Sequence, residues 1–252
     1  MVSLLLAAAV ATVAWRLRWL TLDGAVAAAI VGGVILEFGG PWWAAALVAF
    51  FVSGTLLTMV GRRQKTQPEH AGRGRTAAQV LGTGGIASLA SVAWAWDAVP
   101  AAARALLPAA FLGALAASAA DTWATELGML SPRPPRLMTT GRVVPAGTSG
   151  GVTAIGSLAG AGGAVFVAAI GSTGSLRLLT AASIAGVVAM FVDSLLGTTV
   201  QASFLRPDGT VTEDPRPGAE LVRGILWITN SVVNLLATLV GALAAGALAY
   251  WW

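Results

Sequence analysis

Apolar runs close to twenty residues long recur along the whole chain, at about 2–20, 22–38, 41–60, 77–96, 101–124, 149–171, 176–200 and 225–250. Polar residues do not return every third or fourth position within them, so the runs lack the wet face of a helix in a soluble protein. A helix needs about 20 apolar residues to cross about 30 Å of hydrocarbon, and each run therefore predicts one span. The expected fold is all-α: a polytopic transmembrane helix bundle of about eight spans, forming a single integral membrane domain over residues 1–252. The run at 22–38 is short and carries Glu37, which predicts a tilted helix or one paired with the first as a hairpin. Seven spans is the alternative count.

The polar segments between the runs set the orientation. Connections after odd-numbered helices hold Arg16, Arg18, Arg62, Arg63, Lys65, Arg73, Arg75, Arg133, Arg136, Arg142, Arg206, Arg216 and Arg223, whereas the opposite side holds Arg104 and Arg177. Thirteen basic residues against two predict basic loops in the cytoplasm and both termini outside, in a plasma (inner) membrane. The run Val2–Ala14 is followed, not preceded, by arginines, the reverse of a signal peptide, and is read as a retained span. Tryptophans near span ends, among them Trp42, Trp43, Trp94, Trp96, Trp251 and Trp252, read as interfacial anchors.

Composition agrees and narrows the chemistry. The 252 residues are 56% hydrophobic and 10% charged, against about 25% charged in an ordinary soluble domain. With no cysteine, disulfides and thiolate chemistry are excluded. The single histidine, His70, stands in the loop 61–75 without a ligand set around it. That loop, GRRQKTQPEHAGRGR, suits anionic lipid headgroups or orientation alone; Lys65 and Arg75 are its candidates for phosphate contact.

An ionised side chain inside a span costs about 2.5–3.5 kcal/mol on insertion scales and needs a reason. Asp121 and Glu126 lie in SAADTWATELG, and Asp193 lies in FVDSLLGTTVQ, all near the cytoplasmic ends of their helices. Asn230 and Asn234, one turn apart, enter the last helix from the same side, as Gln79 enters the fourth. Polar features of four helices are thus expected at one membrane face. The alternative for each carboxylate is a helix end reaching interfacial water, or a structural pair with an arginine. Asp121 and Glu126 are five residues apart, about 140° around a regular helix, and share a face only if the helix ends or unwinds between them.

The segment LSPRPPRLMTTGRVVPAGTSGG adds Arg133, Arg136 and Arg142, whose forked guanidinium donors suit phosphate. It ends in Gly147-Thr148-Ser149-Gly150-Gly151, read as a glycine-rich turn feeding the next helix and presenting N–H groups to an anion. A plain N-cap at Ser149 is the alternative. Carboxylates, arginines and an anion cradle together suit Mg²⁺-dependent chemistry on phosphates.

The stretches ADTWATELG (120–128), PRLMTTGRVVPAGTSGGVTAIG (135–156), VDSLLGTTVQ (192–201) and TNSVVN (229–234) resemble a membrane family. It was long classed as a domain of unknown function, and includes plant phytyl-phosphate kinase and the vertebrate transmembrane protein 19. LLTMVGRRQK (56–65) and GRTAAQVLGTGG (74–85) match more loosely. The resemblance implies a membrane-embedded kinase passing a phosphoryl group from a nucleoside triphosphate, CTP or ATP, to an isoprenoid monophosphate such as phytyl or geranylgeranyl phosphate. It implies Mg²⁺ as cofactor, membrane lipids and the isoprenoid phosphate as partners, and no nucleic acid. Asp121, Glu126, Arg136, Thr148, Ser149, Gly150, Asp193, Asn230 and Asn234 fall on the family's recurrent positions. Asp121, Glu126 and Asp193 are then the expected metal and catalytic residues. Arg133, Arg136, Arg142, Thr148, Ser149, Gly150, Gly151, Lys65, Arg75, Asn230 and Asn234 are the expected phosphate and nucleotide contacts. The family often has Lys where Met59 stands, Asn where Thr83 stands and an acid where Ser231 stands. Two other functions use the same residues: a CTP-dependent lipid-phosphate cytidylyltransferase, and a transporter or lipid flippase.

Overall fold

The computed structural model describes residues 1–60, 74–213 and 217–252. Its helices are α1 (Val2–Arg16), α2 (Leu22–Gly39), α3 (Pro41–Met59), α4 (Ala77–Ala95), α5 (Ala101–Arg104), α6 (Leu107–Gly128), α7 (Ala154–Gly171), α8 (Leu176–Thr199) and α9 (Asn230–Trp251). Seven stretches are long and apolar enough to cross a membrane, with α5 and α6 counted as one. α1 has 15 residues and reaches only ~22 Å at 1.5 Å per residue. It lies antiparallel along α2, Leu4 beside Gly33 and Ala7 beside Gly32, with the amino terminus 3.8 Å from Glu37. The hairpin expected from the short second run is what forms.

Local chemistry sets the helix starts. The hydroxyls of Thr21, Thr153 and Ser175 each accept a backbone N–H three residues on, and Thr76 forms a capping box with Gln79. Pro41 occupies the first turn of α3, where its missing N–H leaves no bond unmade. Pro108 separates α5 from α6, because its ring has no N–H to give the Arg104 carbonyl four residues back and clashes with it.

α6 is the central helix. Eleven of its residues between Ala109 and Ala120 are buried, and α3, α4, α7, α8 and α9 all pack on it. Lipid tails are as apolar as the side chains, so packing relies on close approach and on hydrogen bonds between helices. α7 offers Gly156, Gly160 and Gly163 to the carbonyls of Ala124, Ala120 and Ala119; a Cβ on any of them would sit 2.7–2.8 Å from carbonyl oxygen. Ser118 Oγ donates to the Thr83 carbonyl at 2.8 Å, and Trp123 Nε1 donates to Ser53 Oγ at 3.2 Å. Trp43 departs from its expected role as an interfacial anchor. It is 8% exposed and stacks on Phe111 at 4.1 Å, because α3 turns that face toward α6.

Short strands, which the apolar pattern did not predict, fold two of the connections. β1 (Arg136–Leu137) pairs antiparallel with β2 (Gly151–Val152) between α6 and α7. Between α8 and α9, β3 (Ser203–Leu205), β4 (Val211–Thr212) and β5 (Glu220–Arg223) form a sheet in the order β4-β3-β5. Asp208-Gly209 makes the β3–β4 turn, Gly209 at φ 82°, and both the N–H and the hydroxyl of Thr210 donate to Asp208. These bonds hold the Asp208 carboxyl below its ordinary pKa. Both connections lie at one end of the bundle, and both chain ends lie at the other.

Candidate functional site

The site is built around Arg75. Its backbone is clamped on the turn between α1 and α2: its N–H donates to the Trp19 carbonyl at 2.9 Å, and its own carbonyl accepts from Thr21 N–H and Thr21 Oγ1 at 3.1 Å. One residue past the Thr76 cap, Ala77 N–H donates to Asp23 at 2.9 Å. The guanidinium then passes over the rings of Phe50 and Phe51, 5.2 and 5.7 Å from their centroids, and reaches the bare backbone of Gly54 on α3 and the Thr122 methyl on α6. Such ring faces stabilise a cation without neutralising it. Burial lowers the Arg75 pKa, and the negative charges of Glu126 and Asp121 oppose that shift.

Opposite Arg75, α6 and α8 bring their acids together. Asp121 and Asp193 are near enough to act on each other electrostatically, and Glu213, in the bend after β4, acts on both. Asp193 is 8% exposed, and its Oδ2 has no hydrogen-bond partner among the described residues. A buried acceptor left without a donor costs about 1–3 kcal/mol, so the fold alone gives no reason for it.

α6 stays helical through Gly128, and Asp121 and Glu126 consequently diverge. Glu126 accepts a hydrogen bond from Thr58 Oγ1 of α3 at 2.6 Å. The expected three-carboxylate metal set of Asp121, Glu126 and Asp193 is thus not assembled; among the described residues no group of three potential ligands is close enough to hold a metal. The neighbouring pair Asp121 and Asp193 still suits Mg²⁺, which takes one or two protein carboxylates and leaves its other positions to water and phosphate oxygens.

The turn at 147–151 also differs from expectation. It does not feed the helix directly: Gly147 and Gly150 have φ of 84° and 75°, the chain continues into β2, and Thr153 rather than Ser149 caps α7. The turn presses on the C-terminal turns of α8 instead. A Cβ on Gly150 would fall 2.4 Å from the Ser194 carbonyl, while Ser149 Oγ rests against Gly197 and donates to Gln201 Oε1 at 3.1 Å. Thr148 Oγ1 donates to the Pro145 carbonyl within the turn. Gly151 is held by its N–H to the Thr148 carbonyl.

Arg133 and Arg142 are exposed on the 130–152 connection, and Arg136 donates from Nη1 to the Gly141 carbonyl at 2.9 Å. All three are therefore at the rim, not between the carboxylates. Asn230, first residue of α9, is exposed; Asn234 is half-buried with an Oδ1 that has no partner among the described residues. Their helix packs on α4 at Ser231, whose carbonyl faces Gly82. Lys65 lies outside the described residues, as does His70.

Sequence reading missed Glu213, Gln201 and Thr58. Gln201 is 1% exposed, and its Nε2 has no partner among the described residues. The Asp-Gly pair at 208–209 is the signal that could have found Glu213, because such a pair marks a hairpin turn that folds the segment back on itself.

Comparison with known proteins fits this architecture. The chain is 32% identical to Protein PGR of Arabidopsis thaliana, with 89% of this chain and 87% of that one covered. It is 31% identical to an uncharacterized membrane protein of Methanocaldococcus jannaschii, over 96% of this chain and 91% of the other. With Protein VTE6, chloroplastic, of Arabidopsis thaliana it shares 25% identity over 90% of this chain and 64% of that one. No solved structure matches significantly. The family model described as Integral membrane protein DUF92 spans residues 5–242, nearly the whole bundle with its polar end, and the chain belongs to that family.

Proposed function

We propose that the protein is a membrane-embedded isoprenoid-phosphate kinase, with its site on the cytoplasmic side of the plasma (inner) membrane. The observation that carries the reading is the carboxylate pair Asp121 and Asp193, the buried Asp193 having an oxygen with no partner among the described residues, with the clamped cation Arg75 acting on Asp121. The family resemblance read from the sequence supplies the substrate class. The bias of basic residues toward this end of the bundle supplies the side.

Mg²⁺ bound by Asp121 and Asp193 would neutralise charge between two repelling phosphate groups. An isoprenoid monophosphate is already anionic at neutral pH, so its oxygen needs no strong base before attack. That oxygen forms a bond to the terminal phosphorus of the nucleotide, the bond from that phosphorus to its bridging oxygen breaks, and the nucleoside diphosphate leaves with the electron pair. Arg75 holds the lipid phosphate from the membrane side and limits its freedom, which is where most of the gain in such a reaction arises. Arg133, Arg136 and Arg142 at the rim meet the nucleotide phosphates. Asn230 and Asn234 supply uncharged hydrogen-bonding groups.

The test is product identity from purified protein with Mg²⁺, geranylgeranyl or phytyl phosphate, and labelled CTP or ATP. Isoprenoid diphosphate with nucleoside diphosphate, lost in Asp121→Asn and Arg75→Ala, is the expected result. Pyrophosphate with a nucleotidyl lipid would move the protein to cytidylyl transfer. No turnover with any pair from folded protein would sink both and return transport to consideration.

A further inference from the structure

Arg75 faces two ways. On one side lie Asp121 and Glu126; on the other, it closes the polar end of a long apolar groove between α1, α2 and α3. The groove is floored by Val80 and Gly84 of α4, and Arg75 and Thr83 are the only polar side chains in its lining among the described residues. Its volume is ≈ 880 Å³ with the open side counted. It runs from Leu20 and Arg75 at the polar end to Leu6 and Leu36, near the opposite end of the bundle. Along α2 its lining extends from Ala28 to Leu36, eight residues or ~12 Å at 1.5 Å per residue.

The groove is open toward lipid. Val10 of α1 and Val48 of α3 line both it and a second groove beside it, and they are 54% and 44% exposed. A chain can therefore enter sideways from the bilayer while its head stays at the membrane surface. One cation at the mouth matches one anionic head. The lining mixes large side chains with Ala7, Ala11, Ala28, Gly32 and Ala44. Small residues among large ones leave room for the methyl branches of a single isoprenoid chain.

We infer that this groove binds the hydrocarbon chain of the isoprenoid-phosphate substrate, with Arg75 on its phosphate and the far end, at Leu6 and Leu36, setting the chain length accepted. The inference rests on the substrate class proposed above, and its test needs no turnover. Geranylgeranyl monophosphate carrying a diazirine on its last isoprene unit is photolysed with the full-length protein in detergent, without nucleotide, and the adducts are mapped by mass spectrometry. Adducts on α1, α2 and α3 near Leu6, Leu36 and Ala44 are expected. Unlabelled geranylgeranyl phosphate should compete them away, and Val48→Trp, which intrudes from the lipid-facing edge, should reduce them about tenfold or more. Arg75→Ala should weaken competition by geranylgeranyl phosphate and leave competition by geranylgeraniol unchanged.

Adducts on α6 to α9, or labelling that a two-chain phosphatidate displaces better than the monophosphate, would overturn the inference. Should Val48→Trp fail to fold, the wild-type map and the two competitors decide it alone. Groove labelling without kinase turnover would count against the activity and leave the groove standing. Turnover with labelling elsewhere would do the reverse.

Discussion

Replacing Asp193 with asparagine should make the protein more stable and inactive at once. Asp193 is 8% exposed, its Oδ2 has no partner among the described residues, and its charge shares the site with Asp121 and Glu213. Asparagine keeps the shape, removes one of the repelling charges and brings an N–H₂ donor. An unsatisfied buried polar group costs about 1–3 kcal/mol, and only part of that is recovered because the amide is itself polar; a gain near 1 kcal/mol is expected. For a chain of this size each kcal/mol moves Tm by about 2–4 °C, which thermal unfolding in detergent resolves. Turnover of isoprenoid phosphate should fall about a hundredfold or more, the usual scale for losing a charged group that acts on the transferring phosphate. Asp121→Asn should lose turnover alike but gain less stability, because it also removes a negative charge that favours the Arg75 cation, and the double variant should be stabilised by less than the sum, since the first change already removes the repulsion. A lower Tm with turnover retained would refute the reasoning, for it would mean that Asp193 holds the fold together.

Other expectations concern the frame around the site. Gly160→Val places atoms against the Ala120 carbonyl and Met190, and should cost about 1–3 kcal/mol by overpacking, whereas Gly162→Ala, with 3.9 Å to its nearest neighbour, should leave Tm unchanged. Gln201→Leu should cost less than Ser149→Ala, because Ser149→Ala strands the buried Gln201 Oε1, worth about 1–3 kcal/mol, while the leucine removes the whole buried amide and leaves only the half-buried Ser149 hydroxyl without its acceptor; chemical unfolding of the two variants ranks them. The chain has no cysteine, so Asp208→Cys and Asp97→Cys can each be labelled singly in oriented vesicles. The two positions should react from opposite sides, and labelling from one side would overturn the topology.

The spans were legible because the bilayer imposes a length; seven of the eight expected spans satisfy it among the described residues, and the first forms a helix of only 15 residues. The errors fell where length carries no information. Gly147–Gly151 read as the entrance to a helix, since glycine before an apolar run fits a cap and a left-handed turn equally; the φ of Gly150 and the pairing of β2 with β1 move the start to Ala154. Strands of two to four residues leave no periodicity to detect, and with them Glu213 was lost. The divergence of Asp121 and Glu126 was predictable from helical geometry, but which of them would meet Asp193 depended on how α6 is rotated against α8. Arg75 was legible as a candidate phosphate contact in a basic loop, but its place in the fold was not. Its clamp requires Trp19 and Thr21, more than fifty residues away.

The groove takes in one of the three positions at which this chain departs from its family's pattern. Thr83, which stands where an asparagine is frequent, lines the groove, and its hydroxyl is already turned to the Gln79 carbonyl at 2.9 Å. Met59 is an exposed residue at the end of α3, and Ser231 meets Gly82 through its carbonyl, so its side chain is not what joins α9 to α4. None of the three touches Asp121 or Asp193 in the contacts described, and one of them shapes the track that a lipid chain would follow. Loss of polar groups there makes the track more apolar without altering the carboxylates. A family varying in this way would keep one reaction and change the lipid it accepts, and the residues to exchange between members are then those at 83 and along the groove, not those at 121 and 193.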